Sequence, residues 1–129
     1  MNAQQAQLFR DLELLMLWYI PIGNAMPKQQ AIQNLGDDLQ KNLIEAMSVC
    51  DVALNTSKPS SRLELIGIMI FNLSKVSAIV SILHQYSKTK NDGHGPIISK
   101  LQFENYLERM SNIKRQIGHW KKKTASKNN

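Results

Sequence analysis

A chain of 129 residues, 43% hydrophobic and 20% charged, makes one globular domain with its own core rather than a disordered polymer. A single cysteine, Cys50, excludes a disulfide framework and any multi-cysteine zinc site, and only six glycines and four prolines disfavour a turn-rich sandwich or barrel. The net charge of +6 is concentrated at one end: from Arg109 onward seven bases and no acid give +7, while nine bases and ten acids leave residues 1–108 at −1.

Helical periodicity organises the chain into four segments, with no sustained strand-like alternation. The first runs from about 4 to 25, with Leu8, Leu12, Leu15, Tyr19, Ile22 and Met26 on one face. Pro21 lies inside that pattern, which continues past it, so a kink is expected rather than a stop. The second runs from about 28 to 55, with Ile32, Leu35, Leu39, Leu43, Ala46, Cys50, Ala53 and Leu54 inward. Gly36 weakens this helix and marks a close approach of a neighbour. The turn Asn55–Ser61 offers Ser57 as an N-cap, with Pro59 tolerated in the first turn.

The third segment runs from about 60 to 86, with Ile66, Met69, Ile70, Leu73, Val76, Val80 and Leu83 inward. Between Leu63 and Phe71 it is apolar on nearly every side, which calls for cover from another subunit, with Leu65, Ile68 and Phe71 as interface residues. Ser87–Pro96, ending Asn91-Asp92-Gly93-His94-Gly95-Pro96, reads as a flexible loop. The fourth, from about 100 to 123, opens on the capping box Ser99-Lys100-Leu101-Gln102. Phe103, Tyr106, Met110, Ile113, Ile117 and Trp120 recur on its inner face, Trp120 as the last plug of the core. Residues 124–129 are expected to be disordered. No apolar stretch is expected to reach membrane-spanning length, and the polar start Met1–Gln5 is unlike a signal peptide, so a soluble cytoplasmic protein with no membrane partner is expected. The fold expected is all-α, a single-domain antiparallel up-down-up-down four-helix bundle.

No catalytic constellation appears. His84, His94 and His119 lie on different elements without metal-ligand spacing, and no Glu-x-x-His pattern suits a di-iron bundle. A histidine at a helix end is more often a polar surface residue than a ligand. Ser77, Ser81 and His84 share one side of the third helix, but no acid there could orient the imidazole, so a solvated polar face is expected. Cys50, on an inner face, behaves as a small hydrophobe. The expectation is a non-enzyme without metal or cofactor. Its charge points to a polyanion, with nucleic acid ahead of a merely solvated tail. Phosphate contact is assigned to Lys114, Arg115, Lys121, Lys122 and Lys123, with Arg109 and Lys75 as further candidates.

Taken together, Trp18-Tyr19-Ile20-Pro21-Ile22, the close at Met26-Pro27-Lys28, the serine-rich turn before Arg62-Leu63 and the ending Ile117-Gly118-His119-Trp120-Lys121-Lys122-Lys123 resemble the accessory variability determinant (Avd) proteins of diversity-generating retroelements. The resemblance covers about residues 8 to 124. It implies a basic homopentameric barrel of four-helix bundles that binds nucleic acid, template RNA or DNA, and associates with the element's reverse transcriptase without catalysing anything itself. A departure is that Leu73-Ser74-Lys75-Val76-Ser77-Ala78 carries one cation where family members commonly carry several, which moves the expected contact toward the fourth helix. The rival reading is a structural interaction module of the related ribosomal-RNA intervening-sequence type, a four-helix bundle with no nucleic-acid role.

Overall fold

The structure, a computed structural model, describes residues 3–89 and 97–127. These form four helices and no strand: α1 (Ala3–Asn24), α2 (Gln30–Leu54), α3 (Pro59–Thr89) and α4 (Lys100–Lys127). Each helix packs on its neighbours in sequence and α4 closes on α1, with α2 and α3 sharing the most extensive contact. The apolar faces read from the periodicity meet in one core. Leu8, Leu12 and Leu15 join Leu39, Leu43 and Cys50, then Ile66, Met69 and Leu73, then Tyr106, Met110 and Ile113. Each such side chain contributes about 1.5–3 kcal/mol on burial against about 1 kcal/mol for a typical hydrogen bond, so packing dominates the fold.

Polar ties then fix how the helices sit. Trp18 Nε1 donates to the Gln102 carbonyl at 3.1 Å and Gln116 Nε2 donates to Asp11 Oδ2 at 2.6 Å, joining α1 to α4. Tyr86 Oη donates to Gln29 Oε1 at 3.0 Å and Arg62 Nε to the Ala53 carbonyl at 3.1 Å, joining α3 to α2 and its entry. Helix α1 runs through Pro21 to Asn24. Gly36 is the expected close approach: a Cβ there would lie 2.7 Å from Tyr19 Oη and 2.8 Å from Met26 Sδ. The α4 capping box is closed in both directions, Gln102 N to Ser99 Oγ at 3.1 Å and Ser99 N to Gln102 Oε1 at 2.8 Å.

Several expectations need correction. Helix α3 starts at Pro59, so the residue before it is not Ser57 but Lys58, and the Lys58 carbonyl accepts from Arg62 N at 3.0 Å. It also runs on to Thr89, and the loop assigned to 87–96 lies, from 90 onward, outside the described residues. Helix α4 does not stop near 123 but reaches Lys127, because Thr124 is buried and its hydroxyl donates to the Trp120 carbonyl at 2.9 Å. Residues 128–129 lie outside the described residues. One helix does reach membrane-spanning length and hydropathy: Pro59–Tyr86, mean hydropathy 1.9, a third of that window buried. The serines and asparagine interleaved with its apolar residues broke the run in the sequence, yet the mean stays high in spite of them. Its inward residues Ile66, Met69, Leu73, Val76, Val80 and Leu83 belong to the shared core, whereas Ile70, expected beside them, is 36% exposed because it sits one residue past Met69 on the rim of that face.

The serine–histidine side of α3 is not a solvated face. His84 is 6% exposed, its Nδ1 lies 3.1 Å from the Ile98 carbonyl, and its ring stacks on Phe103 at 4.1 Å. Ser77 Oγ pairs with Tyr106 Oη at 2.7 Å. These polar groups bind α3 to α4, because a carbonyl and a phenol on the facing element supply the partners that an isolated reading of α3 lacks.

Candidate nucleic-acid interface

Helix α4 is set in rotation by Tyr106, Met110, Ile113, Ile117 and Trp120, all buried. At 100° per residue that phase decides where the cations go. Arg115 and Lys122, seven residues apart, point away from the core about 10 Å apart along the axis. Lys114 and Lys121 take the flank toward α3, the side on which Phe103 meets His84. Arg109 and Lys123 take the flank toward α1, the side on which Gln116 reaches Asp11. All six are exposed, and Lys127 extends the series by one turn. The last acids on the helix are Glu104 and Glu108, so its outer surface changes sign between Glu108 and Arg109.

None of these cations is neutralised by an ion pair among the described residues. Arg115 donates to Asn112 Oδ1, a neutral acceptor that holds the side chain without discharging it. Unpaired, exposed Lys and Arg on a common rod release condensed counterions when they meet a polyphosphate, the main sequence-independent source of nucleic-acid affinity. His119 is exposed among them, and His94 lies outside the described residues.

Lys75 belongs elsewhere. Its ammonium sits 4.3 Å from the centre of the Phe71 ring, in an open groove of about 560 Å³ between α2 and α3, lined also by Asp38, Lys41, Asn42, Glu45, Ala78 and Ile79. Two acids balance two lysines there, so the groove has no preference for an anion, and Lys75 does not join the α4 surface.

The residues assigned to self-association divide as well. Phe71 is 60% exposed and Ile68 46%, with Ile82 further along the same outer stripe. Leu65 instead is half-buried against the core. Helix α1 adds Leu17, 60% exposed, and α4 adds Leu101 and Leu107. Exposed apolar side chains in these numbers leave more than one face able to meet another protein surface.

Sequence reasoning missed Arg62. Its guanidinium carbon lies 5.7 Å from the centre of the Trp120 ring, while its Nε holds the last turn of α2. No spacing in the sequence links positions 62 and 120. Trp120 itself is 6% exposed and plugs the core as its periodicity requires, so it offers no face for base stacking.

Burial holds one thiol and two phenols in their protonated forms. Burial, with a smaller push from Asp51, drives the Cys50 thiol up to about 12, so it stays protonated and inert at neutral pH. Burial likewise raises the Tyr106 phenol to about 12 despite its bond to Ser77, and raises Tyr19 beside Asp37. No protein-family model, curated protein or solved structure matches the chain.

Proposed function

We propose that this chain is a non-catalytic, basic nucleic-acid-binding accessory subunit of the Avd kind, serving the reverse transcriptase and template RNA of a diversity-generating retroelement. In this reading it works in the cytoplasm, supports mutagenic cDNA synthesis by holding RNA, or DNA, against the polymerase, and needs no cofactor. The observation that carries it is the terminal half of α4: six exposed cations, no acid after Glu108 and no intramolecular partner carboxylate among the described residues. The sequence resemblance over residues 8 to 124 supplies the polymerase and the retroelement.

The subunit is read as an antiparallel up-down-up-down bundle assembled into a homopentamer. Two features support this. The ties between α3 and α2 pair the start of one helix with the end of the other, and those between α1 and α4 run in opposite order along the two helices, Trp18 with Gln102 and the earlier Asp11 with the later Gln116. Ile68 and Phe71 leave an outer α3 stripe for a second copy to cover. Five copies at +6 would concentrate a field strong enough to hold a structured RNA.

A gel shift with structured RNA over a salt series tests the reading. Affinity should fall steeply as salt rises, with little dependence on sequence. A second reading, a bundle that docks a protein partner and ignores nucleic acid, is favoured by the exposed Leu17, Leu101 and Leu107. No shift even in dilute buffer, together with a stable complex with a polymerase, would select it.

A further inference from the structure

We propose that Arg62 is a phosphate-binding residue, its guanidinium held over Trp120 at the end of the bundle so that its two terminal nitrogens grip a phosphate of the bound nucleic acid. This rests on the nucleic-acid reading above and adds to it a specific anchor on a second helix.

The geometry is that of a donor aimed in advance. Nε donates to the Ala53 carbonyl at 3.1 Å, which fixes the plane of the guanidinium from α2. The Trp120 ring, 5.7 Å from the guanidinium carbon, supports it from α4. Neither terminal nitrogen has a partner among the described residues, and no carboxylate pairs with the side chain. Half-buried and tethered at both sides, Arg62 loses little freedom when it binds, and the paired terminal N–H groups match two oxygens of one phosphate.

The surroundings have the right sign. Lys58, exposed, lies one turn back at the entry of α3, whose first turn also brings the positive end of that helix to this side. Lys121, Lys122 and Lys123 follow Trp120 directly on α4, all exposed. Arg62 therefore joins the α4 cations into a surface built on two helices. A merely structural role, holding the last turn of α2, engages Nε alone and gives the terminal nitrogens nothing to do.

The test pairs RNA affinity with resonances of the wild-type chain. Trp120 Nε1 is buried without a partner, so its indole N–H signal reports on the charge above the ring, while Trp18 Nε1, bonded to the Gln102 carbonyl, serves as an internal control. Titration with a short single-stranded RNA, and separately with pyrophosphate, should shift the Arg62 Nε–H and Trp120 Nε1–H signals and leave Trp18 in place. Arg62→Lys keeps the charge but loses the fork, so RNA affinity should fall about fivefold with the salt slope retained. Arg62→Gln should weaken binding about tenfold and lower the slope by about 0.7. Shifts with pyrophosphate but no RNA binding by the wild type would retain an anion site at Arg62 and overturn the nucleic-acid reading. Silent Arg62 and Trp120 signals in both titrations, or RNA binding that is unchanged in Arg62→Lys, would overturn the proposal.

Discussion

The Tyr19 hydroxyl donates to the carbonyl of Gly36 at 3.1 Å, and the space that lets it do so is the missing side chain of that same glycine. Helices α1 and α2 therefore approach closely at one point, and the approach can be measured. Gly36→Ala would place a Cβ 2.7 Å from Tyr19 Oη and 2.8 Å from Met26 Sδ. Overpacking of this kind costs about 1–3 kcal/mol, against a helix-propensity gain of about 1 kcal/mol. Urea denaturation should show a net loss of about 1 kcal/mol. Gly118→Ala is the contrast: its Cβ meets nothing within 4 Å on an exposed face of α4, and the same substitution there should stabilise by about 0.5–1 kcal/mol.

The buried acids predict a fall in stability at alkaline pH. The Cys50 thiol moves from an ordinary value near 9.0 to about 12, and the Tyr106 phenol from 10.0 to about 12. Above the lower value the unfolded chain has released the proton while the folded chain still holds it, so rising pH favours unfolding across that window. Stability should therefore be level at neutral pH and decline from about pH 9 upward, Cys50 acting before Tyr106. Cys50→Ala should flatten the first part of that decline in denaturation curves taken at a series of pH values. In the native protein at mildly alkaline pH the thiol should resist alkylation, and unfolding should expose it.

Self-association and core packing separate on α3. Phe71→Glu changes an exposed side chain, so monomer stability should move by no more than about 0.5 kcal/mol while the mass measured by light scattering falls. Leu65→Ala touches the core instead and should cost about 1–2 kcal/mol, less than a fully buried leucine. An unchanged particle mass in Phe71→Glu would remove the outer α3 stripe from the interface.

Periodicity located the four helices and most of their inner faces, because an amphipathic helix writes its burial into consecutive residues; Ile70 escaped it because α3 is apolar on the outside there as well. The Ser99–Gln102 cap was legible for the same reason, its two partners being three positions apart. What escaped the sequence depends on contacts between distant segments. His84 and Ser77 looked like a wet surface until Ile98 and Tyr106 supplied their partners from across the α3–α4 boundary. Lys75 looked like a further phosphate contact, yet Asp38 and Glu45 on α2 line the same groove. Arg62 gained significance only when Trp120, 58 positions later in the numbering, came beneath it. The end of α4 was drawn too early because Thr124 has no apolar signature, although its hydroxyl satisfies itself within the helix.

The salt dependence of RNA affinity, compared between the wild type and Lys121→Gln/Lys122→Gln/Lys123→Gln, tests most directly whether α4 holds nucleic acid. Each phosphate contact on a single strand contributes about 0.7 to the slope of log affinity against log salt, so loss of three should lower it by about 2, with helicity unchanged. Equal slopes and equal affinity in the two proteins would contradict the assignment of α4 as the surface that holds nucleic acid.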